Sequence, residues 1–154
     1  MKKSTILFAF IAAILGVVVV NDWRGSFAEP IDAFQGEPAI IAATFTSEWC
    51  SACKVLEPRL KEARSRLGDT PVRFVEFDFT FGERPEHTEI AAKHGLSDLY
   101  GRYKGATGFT VLVDAKTGAR IDTLTINYSA NAIRAAIVQA AAAARLKWDT
   151  SSAG

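Results

Sequence analysis

Two near-continuous apolar runs of strand length stand out along this chain. "PAIIAATFT", Pro38 to Thr46, shows no alternation of polar and apolar positions, the pattern of a strand buried on both faces of a parallel sheet. "VRFVEFDFT", Val72 to Thr80, is a second run rich in valine and phenylalanine. Between them Cys53, Leu56, Leu60, Ala63 and Leu67 recur at spacings of three and four, with Lys54, Glu57, Lys61, Glu62, Arg64 and Arg66 at the other positions. That is an amphipathic helix, and Gly68 supplies its stop. A second helix is expected from about Glu86 to His94, ended by Gly95. Val111 to Val113 and Ile121 to Ile126 read as a β-hairpin around Ala115-Lys116-Thr117-Gly118, with glycine at the left-handed turn position. The strongest helical pattern follows Ser129, a candidate N-cap, with an apolar stripe through Ile133, Ile137, Ala140, Ala144 and Trp148. The order is β-α-β-α-β-β-α. The segment from Ser97 to Thr107 is polar and aromatic without a clear period; Ser97 to Gly105, bearing Tyr100, Arg102 and Tyr103, reads either as a plain surface loop or as a specificity surface.

The N-terminus follows a different pattern. Lys2 and Lys3 precede Ile6 to Val20, an uncharged apolar run, and Ser26-Phe27-Ala28 offers small residues where a signal peptidase reads them. As a helix the run would span roughly 22 Å, short of the ~30 Å hydrocarbon core. Residues 1–28 are therefore expected to be a cleaved export signal or, with Trp23 at the interface, a retained membrane anchor. A linker over 29–37, a folded domain over 38–148 and a flexible tail over 149–154 complete the expected organisation. Composition adds that 49% hydrophobic and 23% charged residues suit one globular core. A net charge of +1, spread along the chain, leaves no basic face for nucleic acid.

The candidate chemistry lies in "TSEWCSACKVLEP", Thr46 to Pro58, which holds both cysteines of the chain. A structural metal site would need four ligands, and the pair can draw only on His87 and His94, whose spacing falls outside that of zinc sites. Both histidines read as solvated surface residues, although a copper carrier built on the two thiols stays open as an alternative. A disulfide across two intervening residues closes too small a loop to staple a fold effectively. Redox chemistry remains. A cysteine in the first turn of a helix is stabilised as thiolate by free backbone N–H groups and the helix dipole, so Cys50 is the expected nucleophile. Cys53, one turn on and on the apolar stripe, is expected to be buried and to resolve the mixed disulfide. Trp49 would cover one side of the site, and Pro58 removes the N–H that would bond the Lys54 carbonyl. No cofactor is called for.

Trp49-Cys50-Ser51-Ala52-Cys53-Lys54 with Pro58 five residues after the second cysteine, at the end of a buried strand in this element order, resembles the thioredoxin superfamily over Pro38 to Trp148. The resemblance implies a three-layer α/β fold with a central mixed sheet flanked by helices, and gives Cys50 and Cys53 the attacking and resolving roles. "EWCSACK" behind an export signal is also similar to periplasmic thiol-reducing branches, such as the cytochrome c maturation thioredoxins and the C-terminal domain of the membrane electron-transporting disulfide reductase. By that resemblance the partners are cysteine-containing exported proteins and a membrane-bound dithiol donor, met in the periplasm or another extracytoplasmic space, with reduction favoured over oxidation because Ser51-Ala52 brings no cation to Cys50. A thioredoxin-like binding module without turnover is the competing reading. Two positions depart from the family. Thr44 stands where thioredoxins carry a buried aspartate, and "KGATGFTVLVD" puts Thr107 or Gly108 in the slot of the family's cis-proline. A cis bond at a non-proline residue costs roughly 3 to 4 kcal/mol, so this loop is expected to be trans or differently shaped.

Overall fold

The structure, a computed structural model, describes Phe34 and residues 36–152. The expected signal or anchor, and most of the expected linker, lie outside the described residues. Four strands form one mixed sheet in the order β2-β1-β3-β4: β1 is Ile40–Thr46, β2 Val72–Asp78, β3 Phe109–Asp114 and β4 Arg120–Leu124. β1 runs parallel to β2 and antiparallel to β3, and β3 and β4 form the hairpin. Four helices accompany them: α1 Ser51–Arg64, α2 Pro85–Lys93, α3 Ser97–Tyr103 and α4 Ala130–Ser152. The fold is the three-layer thioredoxin-like α/β arrangement expected from the sequence.

All seven residues of β1 are buried, because both faces of this central strand are covered. The pleat divides them. Ile40 and Ala42 join Leu56, Leu60, Ala63, Leu112, Ile133 and Ile137 in a core against α1 and α4. Ile41, Ala43 and Phe45 face the other way, into a core with Val75, Phe77, Ala91, Leu96 and Tyr100 beneath α2 and α3. Ser129 caps α4 by accepting from the Ala132 N–H at 3.2 Å, and Gly118 turns the hairpin at φ 68°. α4 continues through Ser152 into the expected tail, since nothing between Trp148 and Ser152 breaks a helix and the Thr150 hydroxyl turns inward to donate to the Leu146 and Lys147 carbonyls.

Two expectations need correction. The segment from Ser97 is a helix rather than a loop: Leu96 and Tyr100 are buried, and Tyr103 lies half-buried with its ring 5.8 Å from Phe45 and 5.3 Å from Phe109. The spacing of four and three places these side chains on one face, a period that the intervening Gly101 and charged residues obscure. His87 is not on the surface. It is 1% exposed on the inner side of α2, with ring centroids 5.0 Å from Phe79 and 6.1 Å from both Phe77 and Tyr100. An imidazole edge packs on aromatic faces as another ring would.

Neither ring nitrogen of His87 has a hydrogen-bond partner among the described residues. Burial, and then the Arg84 charge, hold its pKa below the usual 6.5, against the opposing charges of Asp78 and Glu86. The unfolded chain therefore binds a proton near pH 6.5 while the folded chain does so only at lower pH. Nothing is lost above about pH 7.5. As pH falls through 6.5 toward the folded value, this group should remove stability with a limiting slope of about 1.4 kcal/mol per pH unit. Denaturant unfolding of wild type and His87→Leu at pH 7.5 and pH 5 checks this: the stability difference between them should shift toward the variant at pH 5, and a difference that does not move with pH would contradict it.

Candidate active site

The site forms where β1 delivers the chain to α1. Cys50 is the N-cap residue, with extended backbone (φ −83°, ψ 114°), one position before the helix proper. Its sulfur accepts from the Cys53 N–H at 3.1 Å, taking the place that a serine or aspartate oxygen fills in other N-caps. Both thiols are free. Cys50 is half-buried, whereas Cys53 is 2% exposed and lies with Leu56 and Leu60 on the buried side of α1.

The two sulfurs have opposite electrostatics. Burial alone would raise the Cys50 pKa. Against it act the Cys53 thiol, the Thr107 hydroxyl and the Cys53 and Ala52 backbone N–H groups, all donating to the sulfur, and the net shift is downward from 9.0. Cys53 is shifted up, first by burial and next by the hydrogen bond it gives to Cys50; the Thr46 hydroxyl and Ser47 N–H oppose this only in part. The arrangement favours a thiolate at the surface over a protonated thiol beneath it, as thiol exchange in two steps requires.

The loop before β3 closes the other side. Gly108 is buried, has φ 98°, and donates its N–H to the Phe45 carbonyl at 2.8 Å. A Cβ placed there would stand 2.9 Å from the Ala52 Cβ and 3.3 Å from the Cys50 sulfur. Among the described residues no peptide bond is cis. Where the resembling family has proline, this chain thus brings a bare trans backbone against the nucleophile, in line with the expectation for this loop.

Trp49, beside Cys50 in sequence, is anchored to the loop that follows β2. It is 78% exposed, its indole N–H donating to the Thr80 carbonyl at 3.2 Å, while the Glu48 N–H donates to the Thr80 hydroxyl at 2.9 Å. Thr80 in turn donates from its N–H to Asp78, so the loop after β2 fixes the tryptophan. Phe81, 82% exposed, follows directly, and Trp49 and Phe81 give this end of the sheet an aromatic rim. Lys54 is exposed and donates its N–H to the Cys50 carbonyl at 3.3 Å. Pro58 lies inside α1, on the exposed side. Thr46 and Ser47 reach Cys53, and Glu57 and Thr80 stand behind them as partners of Thr46 and Trp49, none of the four having been singled out from sequence; the available signal was a run of hydroxyl residues where an apolar strand ends.

A family model described as Thioredoxin matches residues 18–96, which include the cysteine pair and both β1 and β2. The chain belongs to the thioredoxin family. Thioredoxin H7 of Arabidopsis thaliana is 27% identical over 107 residues, 70% of either chain, and Thioredoxin H8 of the same plant is 32% identical over 59 residues, covering 38% of this chain and 36% of its own. Among solved structures, an N21Q mutant thioredoxin from Halobacterium salinarum aligns at a TM-score of 0.43 with 18% identity over 71% of this chain and 81% of its own. The exposed lipoprotein thioredoxin of Streptococcus pneumoniae aligns at 0.41 with 20% identity, over 67% and 86%. Family membership brings thiol–disulfide exchange as the general chemistry of this thioredoxin-family chain. Its departures are Thr44, on β1 with its hydroxyl paired at 2.9 Å with that of Thr110, and Gly108, which lies against Cys50.

Proposed function

We propose that this chain reduces or isomerises disulfides of exported proteins. Cys50 attacks a substrate disulfide, one substrate sulfur leaves as thiolate, and Cys53 then attacks the mixed disulfide, freeing the second substrate thiol and leaving Cys50 joined to Cys53. The observation that carries this reading is the contrast between the two thiols, Cys50 half-open at a helix start and Cys53 sealed below it. Thr107 steadies the thiolate, and Gly108 leaves room for a substrate backbone beside the sulfur. On this reading residues 1–28 serve as a cleaved signal or a retained anchor, the domain works outside the cytoplasm, and a membrane-bound dithiol returns it to the reduced form.

Direction follows from what stabilises the Cys50 thiolate. Hydrogen bonds act on it, and neither Ser51 nor Ala52 adds a positive charge, so the reduced form gains only modestly and the couple stays reducing. Equilibration with glutathione buffers tests this. The pair is expected to be more reducing than glutathione and, on trapping of thiols in cells, to be found largely reduced; a pair more oxidising than glutathione and fully oxidised in cells would overturn the direction.

A further inference from the structure

Resting on the exchange reaction just described, we infer that Cys53 gives up its proton through the Thr46 hydroxyl to the carboxylate of Glu57. The need for such a route is physical. Cys53 attacks only as thiolate, yet it is buried and held protonated, with almost no water surface of its own. The family position for an assisting carboxylate on β1 carries Thr44, whose hydroxyl is committed to Thr110 in a buried pair.

The α1-facing side of β1 reads Ile40, Ala42, Thr44, Thr46, apolar until it reaches the cysteines and hydroxyl-bearing there. The Thr46 hydroxyl differs from that of Thr44 in its partners. It donates to Glu57 Oε1, and its oxygen is within hydrogen-bonding reach of the Cys53 thiol. Glu57 follows Cys53 by four residues on α1, so the two side chains hang over the same stretch of β1. Cys53 and Thr46 are buried and Glu57 is exposed. The line Cys53, Thr46, Glu57 therefore runs from the sealed sulfur to solvent.

Other charged groups lie near its outer end. Glu76 on β2 pairs with Thr44 in the sheet register, and burial, followed by the charges of Glu57 and Asp78, raises its pKa against the opposing Arg64. The charged groups on this corner are thus Glu57 and Arg64 of α1 and Glu76 and Asp78 of β2, while β1 and β3 contribute the hydroxyls of Thr44, Thr46 and Thr110. In the step itself, the Thr46 proton passes to Glu57 and the Cys53 proton passes to the Thr46 oxygen. Glu57 ends as a carboxylic acid and Thr46 as a donor to the new thiolate. The Cys53 sulfur then bonds to the Cys50 sulfur, the bond from Cys50 to the substrate sulfur breaks, and the substrate leaves with the electron pair; Glu57 later releases its proton to water.

Stopped-flow reaction of the reduced protein with 5,5′-dithiobis(2-nitrobenzoate) separates the two attacks, since the first coloured thiolate released reports Cys50 and the second reports Cys53. At pH 7, Glu57→Gln and Thr46→Val are each expected to slow the second release by about 100-fold, the lower end of the range for a positioned proton acceptor, with the first release within about twofold of wild type. Thr46→Ser should recover most of the second rate, and the variants should converge on wild type above about pH 9, where hydroxide replaces the carboxylate. An unchanged second rate in both variants, or slowing of both releases by the same factor at every pH, would overturn the route while leaving the exchange reaction intact. A wild-type protein that releases no second thiolate overturns the exchange reaction and the route together.

Discussion

Replacing Gly108 with alanine is expected to destabilise the domain by about 2 to 4 kcal/mol and to slow the first attack by Cys50 about tenfold or more. Two costs combine. At φ 98° an L side chain carries backbone strain of order 1 to 3 kcal/mol. The added methyl would also sit 2.9 Å from the Ala52 Cβ, an atom fixed to the helix backbone that cannot rotate away, and 3.3 Å from the Cys50 sulfur. Relief requires the loop to retreat from α1, which takes the Thr107 hydroxyl away from the thiolate it stabilises. Gly105→Ala is the matched control: its φ is 80°, but no atom lies within 4 Å of the added carbon, so strain is present without crowding. Denaturant unfolding and the rate of the first thiol exchange, measured on both variants, separate the terms. Equal stability losses with an unaltered Cys50 rate in Gly108→Ala would contradict this account of the loop. A proline in this slot is no remedy, because a ring that locks φ near −65° cannot follow the present backbone path.

How much of this was legible in the sequence depends on the range of the interaction. The strand-helix-strand order and the stripe through Cys53, Leu56, Leu60 and Ala63 could be read because burial and period are local properties of the chain. The last helix and its Ser129 cap were legible for the same reason. His87 was misread: a histidine among polar neighbours looks solvated, and only the meeting of α2 with Phe77, Phe79 and Tyr100 from elsewhere encloses it. The helix over Ser97–Tyr103 was hidden by its shortness and its central glycine, since seven residues hold barely two turns of pattern. At the site, the position of Gly108 opposite the cysteines could be anticipated by resemblance, but its φ and its approach to Ala52 could not. The contact of Thr46 with Glu57 spans eleven residues and two elements, and no local pattern encodes it.

The largest effects belong to the cysteines. Cys50→Ser is expected to lower disulfide turnover by on the order of a thousandfold or more, because a hydroxyl is not ionised at neutral pH and a nucleophile's loss is not made up by its neighbours. Cys53→Ala should keep the first attack but lose the second, so that Cys50 accumulates as a mixed disulfide with substrate. Burial makes Cys53 an inadequate substitute for Cys50, since it is 2% exposed and its thiol is pushed above the ordinary value. All of this rests on one physical contrast, an ionised sulfur at the mouth of α1 over a protonated one inside. The direct measurement is brief alkylation of the reduced protein with iodoacetamide between pH 5 and pH 10, followed by mass spectrometric mapping of the labelled cysteine. Cys50 should be labelled first, with a midpoint below 9.0, and Cys53 only at pH above that value. Labelling of Cys53 first, or a Cys50 midpoint at or above 9.0, would contradict it.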